Sequence, residues 1–403
     1  MVTNDPGPIM TSGGTSGMAK RSVTRRQFNT GIAAAAAVGV IGFQKGSAQE
    51  ASPAAEEGMG LPPLPEGAVV VAEGLWNPSG LAFGEDGTLY IAEQGFVATP
   101  SEEPAPSTTK EELKEGSPLQ VVIPGQISAI AADGTWSVLA GDIPGATALT
   151  VHGDHIYTIS GGMSIGAGFV QLESENAVTS VEIATGAKAV VANLGMFEYD
   201  NNPDGTDINP NLYGIAADAD GLLYVADAGG NTLYTVDAAS GEIALFAVVP
   251  TLEELLGASP VPIEAARQSV PTSLVIDANG VIHVTLLSFG WNGPSILAYT
   301  PDGAWTGGAG PLSSVVGSAI GPDGLLYVVQ LSDNFMSEEP TPGSVIRVNA
   351  DGTTEVVIGG LFFPHGIAFD TAGTLFVTVN SIISGPDAPM GQVIKFESIA
   401  AAM

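Results

Sequence analysis

Glu198, Asp200, Asp204 and Asp207, interleaved with Asn201, Asn202 and Asn209, form the densest run of oxygen donors in the 403-residue chain. Carboxylate and amide oxygens at that density suit a hard divalent cation such as Ca2+, although the spacing is not that of an EF-hand. Asp and Asn side chains also stabilise turns by accepting from their own backbone, so a purely structural loop is the competing reading. Histidine offers less. Of the four, His283 sits on a strand as a packing residue, and His152 and His155 flank a turn. Only His365 stands where an acid or base would be useful, and no serine or aspartate can be paired with it from spacing. Cysteine is absent, which excludes a thiolate nucleophile, a disulfide framework and a cysteine metal site. The glycine-rich stretch from Gly161 to Gly168 lacks the lysine and helix that phosphate binding needs, and reads as a loop.

These residues are positioned by a repeat. Gly80 to Ala92, Gly214 to Ala226 and Gly366 to Thr378 each read as an apolar strand, an Asp-Gly-type turn and a second apolar strand. Ser273 to Thr285, Gly317 to Val329 and a degenerate Ala148 to Ile159 complete the set. Six units too small to bury their own faces predict an all-β fold, a six-bladed β-propeller. Each blade runs through strands a to d from the axis outward. The last unit has three strands, and Gly67 to Glu73 is expected to supply the fourth, so that an N-terminal strand closes the last blade. Small residues at strand a fit the crowding near an axis. Alternation in strand b sends Tyr90, Tyr224 and Tyr327 one way and Leu89 and Leu223 the other.

Turn lengths separate two faces. The a-to-b and c-to-d turns are short, whereas Val97 to Pro118, Met196 to Asn211, Thr251 to Ser269, Asp333 to Gly343 and Ser384 to Gly391 are long and fall on the opposite rim. Leu252 to Leu256 and Ile263 to Gln268 read as short helices there. Long connections on a rigid scaffold carry function, which places the site at that rim, over the axial channel. Aligned units put Ser79, Thr147, Tyr213, Thr272, Val316 and His365 just before strand a, and Glu93, Ser160, Asp227, Leu286, Gln330 and Val379 at the end of strand b, with Asn380 one step on. Glu93, Asp227, His365, Gln330 and Asn380 are therefore expected to converge on an axial pocket. Tyr213, His365, Gln330, Asn380 and Ser79 are the candidate ligand contacts. Glu93 and Asp227, with Asp200, Asp204 and Asp207 of the donor run, are the candidate ligands for Ca2+ or Mg2+. The competing reading is that these groups solvate the channel or bond neighbouring strands.

Composition bounds the partners. Eleven Lys/Arg against 43 Asp/Glu give a net charge of -32, which disfavours nucleic acid and anionic membranes and favours cations. Thr24-Arg25-Arg26-Gln27-Phe28, the alanine-rich Gly31 to Phe43 and the small-residue site Gly46-Ser47-Ala48 resemble a twin-arginine export signal cleaved between Ala48 and Gln49. Asn29 and Thr30 depart from that pattern. An uncleaved anchor is the alternative, though the apolar run is short for a bilayer. The expected organisation is a signal over 1–48, a tether over 49–66, a propeller over 67–398 and a tail over 399–403. The mature chain is expected to be exported, monomeric and without a membrane span.

Asn201-Asn202-Pro203-Asp204-Gly205 with Asn209-Pro210-Asn211-Leu212-Tyr213-Gly214, Val270-Pro271-Thr272-Ser273-Leu274-Val275 and Phe363-Pro364-His365-Gly366-Ile367-Ala368 resemble the ScyD/ScyE family. The likeness runs from about Val69 to Glu397. It implies a propeller and export and carries no activity with it. The Asp-Gly strand motifs alone are shared with NHL, gluconolactonase and streptogramin-lyase propellers, and metal-dependent lactonases of that kind use axial oxygen donors. The expected function is a binding or scaffolding module that takes a small molecule, peptide or protein on the loop-rich face. A divalent-metal-dependent hydrolase or lyase is the alternative.

Overall fold

Most of the tight turns are fixed by an aspartate. Asp86 accepts the Thr88 amide at 2.9 Å, and Gly87 between them takes φ +80°, a region that strains any L side chain. The Thr88 amide, followed by its hydroxyl, holds the Asp86 carboxyl below the usual carboxylate range. Asp133 and Asp351 repeat the device, accepting from Thr135 and Thr353 at 2.9 and 3.0 Å.

These turns organise six four-stranded antiparallel sheets. Blade I comprises Pro78–Phe83, Leu89–Glu93, Gln126–Ile130 and Trp136–Ala140, and blade II Ala146–His152, His155–Ser160, Ala177–Glu182 and Lys188–Asn193. Blade III comprises Leu212–Ala217, Leu222–Asp227, Thr232–Asp237 and Ile243–Val248. Blade IV comprises Pro271–Ile276, Ile282–Leu286, Ile296–Tyr299 and Trp305–Ala309. Blade V is Val315–Ile320, Leu326–Gln330, Gly343–Val348 and Thr354–Leu361. Blade VI is Ile367–Phe369, Leu375–Val379 and Gly391–Phe396, completed by Val69–Leu75 from the N-terminal side. That strand pairs Val69 with Lys395 and Leu75 with Gly391, as the count of strands in the last unit predicts. The computed structural model describes residues 61–98, 120–161, 174–206, 208–256, 269–287, 294–334, 341–385 and 387–397. The predicted signal with its Ala48–Gln49 junction, most of the tether, the tail, Asp207 and the helix expected over 263–268 lie outside them.

The core sits between blades. Strand alternation delivers Leu89 to a cluster shared with blade VI and Tyr90 to one shared with blade II. Leu223 and Tyr224 divide in the same way between blades II and IV, and Leu326 and Tyr327 between blades IV and VI. Six such seams, each stabilised by side chains worth about 1.5–3 kcal/mol apiece on burial, hold the ring together. Nearer the axis the backbones themselves touch. A Cβ on Gly366 would lie 1.8 Å from the Ser79 carbonyl oxygen, so only glycine allows blade VI to meet blade I.

Antiparallel meanders put all b-to-c and d-to-a connections at one rim, as their lengths indicate. Two of them hold more structure than the sequence suggests. Phe96–Ala98 and Gln120–Ile123 extend the blade I connection as a two-stranded ribbon. Leu194–Asn201, read as loop, is a helix: Asn193 caps its start by accepting the Met196 amide at 2.7 Å, and Asn202 ends it with a left-handed φ of 40°. Leu252–Leu256 is the short helix expected there. Among the described residues no helix is long and apolar enough to cross a membrane.

Candidate functional site

Each inner strand starts at the loop-rich rim, so its first residues surround the mouth of the channel. Thr147, Tyr213, Val316 and His365 line a cavity of about 70 Å3, together with inner-strand residues of all six blades. Tyr213 and His365, 152 residues apart, meet there: the phenol oxygen and Nε2 are 2.8 Å apart and the rings lie 5.4 Å between centroids. Burial lowers the His365 pKa to about 4 and raises that of Tyr213, so both are neutral at physiological pH. Ser79 occupies the equivalent position in blade I but is turned into the seam. Its hydroxyl donates to the Ala92 and Ala146 carbonyls, both at 3.3 Å, stitching blade I to blade II. Thr272 does the same between blades IV and V, donating to Val315 at 2.7 Å.

The residues ending strand b do not converge on the axis, contrary to expectation. None of Glu93, Asp227, Gln330 and Asn380 lines the cavity; His365 alone of that set does. The physical reason is a repeated backbone demand. In each of three blades the chain enters strand a from a connection whose amide needs an acceptor, and the end of strand b lies opposite it. Glu93 accepts the Trp76 amide at 2.7 Å, Asp227 the Asn211 amide at 2.8 Å and Gln330 the Ser313 amide at 3.1 Å. Glu93 also takes the Gln126 side chain at 2.8 Å and the Ser128 hydroxyl. Gln330 donates to Asp333. Asn380, at φ 57°, donates to Gln392 at 3.1 Å. These are fully or almost fully buried groups serving the scaffold. His283, read as packing, also pairs with Asp277 at 3.2 Å.

The donor run divides. Asp200 is exposed on the helix. Asp204 is half-buried in a turn, accepting the Thr206 amide at 2.9 Å and its hydroxyl. Glu198 is completely buried on the inner side of the helix, where Oε2 accepts the Tyr234 hydroxyl at 3.0 Å. Its carboxyl lies near that of Asp227 in blade III, both within 3.3 Å of the point a Cβ on Gly230 would occupy. Desolvation pushes the Asp227 carboxyl up to about 6 against the opposing effect of three backbone amides, and the Asp204 charge adds to the rise. The Tyr234 phenol is raised by burial and by both carboxylates. Among the described residues no group of three or more His, Cys, Asp or Glu side chains has metal-holding geometry. The meeting of Glu198 and Asp227 is absent from the sequence reading. Its one local signal is Asn193 and Asn202, eight residues of helix apart, as the two caps.

No protein-family model and no curated protein matches the chain by sequence. Solved structures do. A gluconolactonase from Xanthomonas campestris superposes with a TM-score of 0.50 at 13% identity, over 81% of this chain and 88% of its own. The calcium-binding protein regucalcin from Agrobacterium tumefaciens gives 0.49 at 14%, over 81% and 92%. Virginiamycin B lyase from Staphylococcus aureus gives 0.44 at 16%, over 81% and 97%. At such identities the likeness is one of fold. The chain has the architecture of a six-bladed β-propeller.

Proposed function

We propose that the chain is a non-catalytic binding or scaffolding propeller that engages a small molecule, peptide or partner protein through its loop-rich rim. The axial cavity supports this reading. At about 70 Å3 it is far below the roughly 300 Å3 at which small-molecule pockets begin, and the Tyr213–His365 pair caps it. A ligand is therefore met by the rim surface rather than swallowed by the channel. An exported, ScyD/ScyE-like protein is the finer form of the proposal, resting on Arg25-Arg26 and on the Asn201 to Gly205 motif. The alternative is a lactonase-like hydrolase with an axial Ca2+ or Mg2+. It requires Glu93, Asp227 and Gln330, now turned to amides of the chain entering each blade, to reach the axis instead.

A photo-cross-linking side chain at Met196, exposed on the rim helix, should form adducts in the exporting cell, while one at Asp351, in a turn on the opposite face, should not. Purified protein should hydrolyse no lactone above background with Ca2+ or Mg2+ added. Equal adducts from both positions, or lactone turnover abolished by Glu93→Gln, would overturn the proposal.

A further inference from the structure

Asp227 differs from the other strand-end caps. Glu93 uses both carboxylate oxygens, one on the Trp76 amide and the other on Gln126 and Ser128. Asp227 uses only Oδ1, which accepts the Asn211, Gly229 and Gly230 amides at 2.8, 3.1 and 2.9 Å. Its Oδ2 has no hydrogen-bond donor, although the residue is completely buried. That oxygen and the Glu198 carboxyl flank one point: the position a Cβ on Gly230 would occupy lies 3.0 Å from Asp227 Oδ2 and 3.3 Å from the Glu198 carboxyl carbon. Thr232, the register partner of Asp227, is also completely buried, with its hydroxyl beside the Tyr234 phenol. Asn202 donates its amide to the Glu198 carbonyl at 2.7 Å and keeps a buried side-chain oxygen without a donor.

Two carboxylates close together in a low-dielectric interior repel strongly, and among the described residues Asp227 forms no ion pair to offset this. A cation between them removes the repulsion and supplies a partner for Asp227 Oδ2. Mixed carboxylate, hydroxyl and amide oxygens in an irregular arrangement fit Ca2+, whereas Mg2+ demands a near-ideal octahedron. We propose that Asp227 Oδ2 and Glu198, with the Thr232 hydroxyl and the Asn202 amide oxygen, bind one Ca2+ in blade III, off the axis of the ring. The ion ties the rim helix Leu194–Asn201 to the two middle strands of that blade. It is separate from the axial channel, and it does not depend on what the rim binds.

Calorimetric titration of Ca2+ into the chelator-stripped full chain, in about 100 mM KCl to screen diffuse binding by the acidic surface, tests the assignment. One Ca2+ per chain and a higher Tm in its presence are expected. Asp227→Asn and Glu198→Gln should each weaken the affinity by about tenfold or more, while Asp237→Asn, in an exposed turn of the same blade, should change it less than about twofold. Absence of stoichiometric binding to the wild-type chain would overturn the proposal, as would an equal loss in Asp237→Asn. So would an Asp227→Asn protein whose Tm rises equally with and without Ca2+, since the two carboxyls would then be sharing a proton. If Asp227→Asn does not fold, the wild-type isotherm and Glu198→Gln decide.

Discussion

His365→Gln probes the capped channel most directly. The imidazole is buried against the Tyr213 hydroxyl, and its pKa is lowered to about 4 from an unfolded value of about 6.5. Between those values the unfolded chain takes up a proton and the folded chain does not. The contribution of His365 to stability is thus complete above about pH 6.5 and is lost as the pH falls towards 4. At about 1.4 kcal/mol per pH unit, the full loss is roughly 3 kcal/mol, and about 2.5 kcal/mol of it is spent by pH 4.5. Glutamine keeps a polar partner for Tyr213 and cannot titrate. Urea unfolding followed by tryptophan fluorescence, from about pH 7.5 to about pH 4.5, gives the stability gap between wild type and variant. Titrations common to both proteins cancel in that gap. Wild type should be the more stable at the upper end, with its advantage shrinking by roughly 2–3 kcal/mol at the lower. A gap that stays constant to within about 0.5 kcal/mol would show that His365 is not buried and neutral, and the account of the channel mouth would fail.

Gly366→Ala places a methyl 1.8 Å from the Ser79 carbonyl oxygen and 2.9 Å from its carbon. Neither backbone atom can swing away, so a loss of about 3 kcal/mol in urea is expected. Gly359→Ala, whose Cβ would have no neighbour nearer than 3.9 Å, should be close to neutral; equal effects would mean that blades VI and I do not meet as described. Glu93→Ala strands the Trp76 amide and the Gln126 and Ser128 side chains, at a cost of roughly 2–4 kcal/mol, with Glu93→Gln costing less. Those losses should be the same with and without added Ca2+ or Mg2+. A deficit that appears only with metal present would return Glu93 to the role of an axial ligand.

Much of the architecture is legible in the chain because it is local. Asp86, Asp133 and Asp351 make their turns with residues two positions away. Leu89 and Tyr90 must leave a strand on opposite faces whatever surrounds them. A last unit lacking one strand requires another segment to cover its edge, and Val69–Leu75 does so. Even the crowding of inner strands follows from small residues recurring at one place in each unit. The helix Leu194–Asn201 is hidden because its stabilising caps, Asn193 and Asn202, are equally good turn residues, and the surrounding Asp and Asn argue for loop.

The site is a different matter. Sequence alone determines that Glu93, Asp227 and Gln330 share one register at the end of strand b, since alternation and repeat length set that. It leaves open whether their side chains face the axis or the chain entering the blade. Only the tertiary structure decides, because the acceptor goes to whichever buried amide would otherwise be unpaired, and that amide belongs to a connection distant in sequence. Tyr213 meets His365 across 152 residues, and Glu198 meets Asp227 from a connection between blades, for the same reason. Local spacing orders neighbours along a chain, whereas closing a ring brings together groups from blades that no spacing relates.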